Sequence, residues 1–324
     1  METLEDRILK EISMDEIYQH IKFIVEIGQK IAGSNEEKKF VNYVTEILKK
    51  YGVEFKVYEF EGYVSEPIEA TLRITYPEEK EIPCSPYAHG ASTPPEGIEG
   101  ELVYVGSGGL EDYRGKDVKG KVTLAELSYA PPRPEKVRIA QEMGAIAQIQ
   151  INWGLMEKRL LPMGTVKSIW GNPTPEDVQR ITRIAAVGVT KSDGAYLKEL
   201  LKRSNKVKVW LKTQVWKGFR SLHDIIAEVP GKEEPNRFVL VNGHYDCWGP
   251  GATDNAVGNA TMLELARVFN LHKNELRRGV KFAWWSGHES GIMVGSTWYV
   301  DNFWDELNKG CIAWLNIDSI GMRG

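Results

Sequence analysis

Three short stretches of the 324-residue chain, RFVLVNG, GVKFAWWSG and GCIAWLNID, are apolar almost without interruption and end at turn residues or carboxylates. A half-buried strand alternates apolar and polar residues. Continuous runs of this length read instead as strands buried on both faces, which occur in parallel sheets covered by helices on either side. Between the runs lie helical patterns, with Met262, Leu265, Ala266 and Phe269 in one and a shorter pattern around MVGSTWYVDNF in the other. LHDIIAEVPG supplies a further strand, joined to the first run by a polar turn. The expected fold class is therefore α/β, a sandwich with a mainly parallel central sheet. Trp284, Trp285 and Trp314 fall inside the runs and are expected to pack in the core.

The rest of the chain has two other textures. Ser13 with Glu16, and Ser34 with Glu37, give capping-box signals before two amphipathic helices, the second closed by Gly52. From about Glu61 the sequence turns to short strands, Pro/Gly turns and isolated helical segments, among them EKVRIAQEMGAIAQIQI. The predicted organisation is a first part of one domain in residues 1–60, an inserted α/β module in 61–216, and the continuation of the first domain in 217–324. A net charge of −4 gives no reason to expect nucleic acid or an anionic membrane as partner. No apolar run approaches the roughly 20 residues that span a bilayer. The amino terminus is too charged for a secretory signal, and three cysteines form no disulfide framework. A cytoplasmic location is expected. Cys247 reads as a buried, inert thiol.

Chemistry-bearing residues sit where the runs stop. The first enters GHYD, with His244 and Asp246; the second enters GHESG, with His288 and Glu289; the third ends at Asp318. Asp254 follows in GATDNAVGNA, where it is expected to cap the next helix. Sites in open α/β sheets form beyond the carboxyl ends of the strands. Carboxylates gathered there repel one another unless a cation neutralises them, so a metal site is expected. Imidazole and carboxylate ligands without thiolates suit zinc, with cobalt or manganese as substitutes. In His244-Tyr-Asp246 the alternation of a strand end lets Asp246 accept the second N–H of the imidazole.

The ordered set GHYD, DNAVG, ES after a strand and NIDSIG resembles the co-catalytic zinc aminopeptidase family, which also holds glutamate carboxypeptidase, glutaminyl cyclase and the transferrin receptor. IAGSNEEKKFVNYVTEILKKYG resembles the amino-terminal helix motif of that family. ELVYVGSGG, VKGKVTLAEL and RIAAVGVTKSDGAYL are similar to the protease-associated domain that many members carry. The resemblance covers nearly the whole chain. It implies that His244, Asp254 and Asp318 hold one metal, that Asp254 bridges, and that Glu289 binds a second. It further implies a metal-dependent exopeptidase, above all an aminopeptidase, acting on peptides through a metal-activated water. The other readings are a catalytically silent binding protein like the receptor members, or a carboxypeptidase or cyclase.

Two departures from the family pattern stand out. The residue before the second-metal glutamate is usually another glutamate, the general base; here it is His288, read either as an alternative base or as a silencing substitution. The histidine that completes the second metal site has no counterpart after His288. One tight and one weak ion are therefore expected. The missing ligand implies either a chain lacking the carboxyl-terminal part of the catalytic domain, completed by a complementing segment or a homo-oligomer, or a genuinely incomplete site.

Overall fold

The computed structural model describes residues 2–321. The chain forms two compact units, Met1–Tyr63 with Phe219–Gly324, and Val64–Gly218. In chain order the elements are α1 (Leu4–Glu11), α2 (Met14–Glu26), α3 (Asn35–Lys50), β1 (Glu54–Tyr76), β2 (Lys80–Ile82), β3 (Cys84–Pro86), β4 (Ile98–Tyr104), β5 (Val122–Glu126), α4 (Arg133–Glu142), β6 (Ala147–Ile151), β7 (Ala185–Val189), α5 (Lys191–Arg203), β8 (Lys208–Val229), β9 (Glu234–His244), α6 (Val257–Leu271), β10 (Arg278–Trp285), α7 (Val294–Gly310) and β11 (Cys311–Asn316). The long strands β1 and β8 carry the chain out of the first unit and back into it.

The first unit is built on the order β11-β9-β10-β8. β9 lies parallel to both β10 and β11, and the end of β8 runs antiparallel to β10. The expected α/β fold with a mainly parallel sheet is thus observed. Alternate residues of the central strands feed two cores. Val241, Val280, Phe282 and Trp284 pack with α2, α3 and α6 residues such as Ile24, Phe40, Val44 and Leu263. Phe238, Leu240, Ala283 and Trp285 pack on the other face with Tyr299 and Leu307 of α7. This two-sided burial is why β9 and β10 are apolar without alternation. β11 departs from the expectation. It is the edge strand, its residues from Ile312 to Asn316 are exposed, and Trp314 stays 43% exposed rather than buried in the core.

Two capping signals close only halfway. Ser13 and Ser34 accept from the backbone N–H of Glu16 and Glu37 as expected. The backbone N–H of Ser13, however, donates to Glu264, and the Glu37 carboxylate turns inward to other partners.

In the second unit β4, β5, β6 and β7 are parallel, flanked by antiparallel β8 and β3. Leu197 and Leu200 of α5 pack on one face against Leu124 and Ile149, and Val137 and Ala140 of α4 lie in a second core with Ala125. The segment EKVRIAQEMGAIAQIQI is a helix and then a strand, split at Gly144, whose positive φ of 85° turns the chain between them. Among the described residues no helix is long and apolar enough to cross a membrane.

Candidate metal centre

The carboxyl ends of β9, β10 and β11 deliver the side chains expected from the sequence to one place. Two groups have ligand atoms within 4.8 Å of one another: His244, Asp254 and Asp318, and His244, His288 and Glu289. His244 belongs to both. Its Nδ1 lies 2.9 Å from the backbone carbonyl oxygen of Asp246. A carbonyl can only accept, so Nδ1 carries the proton and Nε2 is left with its lone pair. Nε2 lies 2.9 Å from Asp254 Oδ1 and 3.6 Å from Asp318 Oδ1 and, though buried, makes no hydrogen bond.

Asn255, itself buried, staples two of these strand ends. Its amide donates to the carbonyls of His244 and Ile317, and its oxygen accepts from the backbone N–H of Ser319. Gly243 allows the close approach, because a Cβ there would fall 2.6 Å from the Ile317 carbonyl oxygen. Asp318 is held at that junction.

Two local expectations need correction. Asp254 does not cap α6. Ala256 occupies the N-cap without a side-chain bond, while Asp254 adopts φ −117° and ψ 89° and directs its carboxylate to His244. Nor does the Asp246 carboxylate serve the imidazole N–H directly, since its Oδ1 stands 3.7 Å from Nδ1. It instead accepts the backbone N–H groups of His288 and Glu289 at 2.9 Å and of Ser290 at 3.2 Å. Asp246 therefore shapes the loop that presents His288 and Glu289. The role is the same in effect, because a backbone carbonyl fixes an imidazole tautomer as well as a carboxylate does.

The electrostatics fit a cation. Burial opposes a charge on His244, yet the adjoining Asp246, Asp254 and Asp318 carboxylates outweigh it and hold the imidazole well above its usual range. The same carboxylates would favour a metal cation bound at Nε2. Burial, with the opposing charge of His244, pushes His288 down to about 4, and burial pushes Glu289 up to about 7. Donor types, an orphaned buried imidazole nitrogen and a demand for positive charge all suit zinc.

Several residues that sequence reasoning passed over or left open support the site. Trp248 Nε1 donates to Glu289 Oε2 at 2.5 Å. Its only visible signal is its place two residues after Asp246. Trp248→Phe removes that donor and is expected to weaken metal affinity by roughly 10–100-fold, the usual cost of losing an outer partner; isothermal titration with zinc checks it. Glu37, fully buried, accepts from Tyr245 Oη at 2.6 Å and Ser286 Oγ at 2.5 Å, and from the backbone of Gly33 and His223.

Asp224, also fully buried, accepts from the Ser286 backbone at 2.9 Å, while its Oδ2 has no hydrogen-bond partner. Burial first, then the charges of Glu37 and Asp246, raise its carboxyl well above the ordinary 3.8. A raised carboxyl contributes fully below its unfolded pKa, and that contribution is lost as pH rises through the folded value. Asp224→Asn stays neutral, so its thermal midpoint should fall less than that of the wild type as pH is raised above 4. Parallel slopes for the two proteins would refute the assignment.

The remaining histidines stay apart. His20 sits between the hydroxyls of Tyr43 and Tyr51, His272 between Glu11 and Glu275, and neither His89 nor His223 joins a ligand group. Cys247 is buried, with its thiol toward the carbonyls of Gly28 and Gly249.

Residues 224–324 match the model of Peptidase family M28, and residues 98–197 match that of the PA domain. These two matches cover separate parts of the chain. The chain is 28% identical over 300 residues to aminopeptidase YwaD of Bacillus subtilis, covering 91% of this chain and 59% of that protein. It is 25% identical to transferrin receptor protein 1 of Gallus gallus, over 98% of this chain and 46% of the receptor. Among solved structures, the zinc aminopeptidase BSAP from Bacillus subtilis superposes with a TM-score of 0.70 at 26% identity, over 96% of this chain and 70% of that one. The chain thus spans about half the length of these two curated relatives. The expected family resemblance, with its inserted PA domain, is borne out.

Proposed function

We propose that this M28 segment is the metal-binding part of a zinc-dependent aminopeptidase that removes amino-terminal residues from peptides. The observation that carries the reading is the His244–Asp254–Asp318 group, with the buried Nε2 of His244 left without a hydrogen bond. These three residues would hold the tight zinc, and Glu289 would belong to a second, weaker position. When bound, zinc polarises a carbonyl oxygen and lowers the pKa of a coordinated water.

The residues of the chain supply the rest. The Asp246 carbonyl fixes the His244 tautomer, the Asp246 carboxylate shapes the 288–290 loop, and Trp248 orients Glu289. Similarity to YwaD and BSAP supports peptide amino termini as the substrate class. The unpaired cysteines are compatible with a cytoplasmic setting.

A silent, receptor-like homologue is the second reading, favoured by His288 at the family's base position and by the likeness to the transferrin receptor. The retained ligand set speaks for the enzyme. Hydrolysis of aminoacyl p-nitroanilides, with added zinc and after chelation, is the test. Zinc-dependent release of nitroaniline supports the proposal; zinc uptake without any hydrolysis, in this chain and in any longer form of it, supports the silent homologue.

A further inference from the structure

Lys30, between α2 and α3, is a charged side chain that is only 1% exposed. Its ammonium turns back on the end of α2, with Nζ 3.0 Å from the Gly28 carbonyl oxygen and 3.4 Å from that of Ile24. The last carbonyls of a helix have no partner within it, and a buried ammonium is costly unless its hydrogen bonds are made. The two needs answer each other and fix the bend at Gly28, whose φ is 88°.

The segment so fixed lies along the loop between His244 and Asp254. Lys30 and Cys247 form an antiparallel bridge, in which the Cys247 N–H donates to the Lys30 carbonyl at 3.0 Å. Gln29 Oε1 accepts the N–H of Gly249 at 2.8 Å. Trp248 is therefore held on both sides, and its indole N–H reaches Glu289 Oε2. The Ala32 N–H donates to Ser290 Oγ at 3.3 Å, on the loop that carries Glu289. One segment thus braces both partners of the Trp248–Glu289 contact, and all these residues belong to the first unit. Gly249 and Gly251 both have φ of 61°, so this part of the loop draws little rigidity from its own backbone.

We propose that Lys30 and Gln29 are positioning residues of the metal centre, holding segment 28–30 against loop 247–249 so that Trp248 meets Glu289. The inference rests on the metallopeptidase reading and adds to it two residues outside the ligand set. Lys30 acts through the backbone that its ammonium fixes, and Gln29 through the Gly249 N–H.

The test is fluorine NMR of the full chain labelled with 5-fluorotryptophan, paired with calorimetric titration with zinc. Among the resonances of the ten tryptophans, the one missing from Trp248→Phe belongs to Trp248. Lys30→Met should shift or broaden that resonance while most others stay in place. It should also weaken zinc binding by roughly 10–100-fold, the cost of losing an outer partner. Gln29→Ala, at an exposed position that the fold tolerates, should move the same resonance and weaken zinc binding by a smaller factor. In the Trp248→Phe background neither substitution should weaken binding further by more than about twofold, because the contact they support is already gone. Should Lys30→Met disturb all ten resonances, Gln29→Ala decides by the same readouts. A Trp248 resonance or a zinc affinity that neither substitution moves overturns the proposal and leaves the metallopeptidase reading standing. So does an affinity that falls by the same factor with and without Trp248. No zinc uptake by the wild type overturns both.

Discussion

The His244→Ala variant is expected to lose its tight metal and to lower kcat/KM for an aminoacyl anilide by at least about 10³–10⁴-fold. His244 contributes to both ligand groups, so no other single side chain removes as much of the donor set. Metal polarisation of a carbonyl is worth several kcal/mol, and each 1.36 kcal/mol is about tenfold in rate. Stability should follow occupancy. Zinc at 100 times its Kd adds about 2.7 kcal/mol to the folded state, and the variant should not respond. Activity assays combined with thermal melts, with and without zinc, check both parts. A variant that still melts higher in zinc and still hydrolyses would remove His244 from the centre.

Glu37→Ala is expected to destabilise the protein by about 3–5 kcal/mol, although Glu37 lies outside the ligand set. The Glu37 carboxylate gathers donors from four places: Gly33 ahead of α3, His223 on β8, Tyr245 beyond β9 and Ser286 beyond β10. Each buried donor left without an acceptor costs roughly 1–3 kcal/mol, and relaxation of the site keeps the total below the simple sum. Glu37→Gln keeps the volume and one acceptor oxygen and should lose about half as much. Because Tyr245 lies between His244 and Asp246, and Ser286 two residues before His288, metal affinity should fall with stability. Chemical denaturation of both variants decides the matter, and a loss below about 1 kcal/mol in Glu37→Ala would show that water replaces the carboxylate.

The fold of the ligand-bearing region was legible because its signals are local. The uninterrupted runs of β9 and β10 reflect two-sided burial, and His244, Asp254, His288, Glu289 and Asp318 lie just beyond strands whose ends could be located. Trp314 was misplaced because an apolar run marks a strand without saying whether it lies in the middle of the sheet or at its edge. Asp254 followed a capping pattern, yet the imidazole of a neighbouring strand claimed its carboxylate. Glu37, Asp224 and Asn255 were overlooked for a common reason. Most of their partners lie 62 to 249 residues away, and such hydrogen bonds leave no periodicity to read. Glu37 even carried a competing local signal, the capping box, of which only the Ser34 half forms.

The Glu37 anchor also bears on the order of events during folding. All the ligand side chains follow residue 243, and their strands pair with neighbours close in sequence. Glu37 reaches them only after the chain has closed around residues 64–218. The entropy of closing so long a loop must be met before that contact can form, and non-local contacts of this kind slow folding. Residues 217–321 can therefore collapse early with a loosely formed centre, and tight metal capture awaits the return of α3. In a refolding time course, tryptophan burial should precede the acquisition of tight zinc, and zinc present from the start should leave the early phase unchanged.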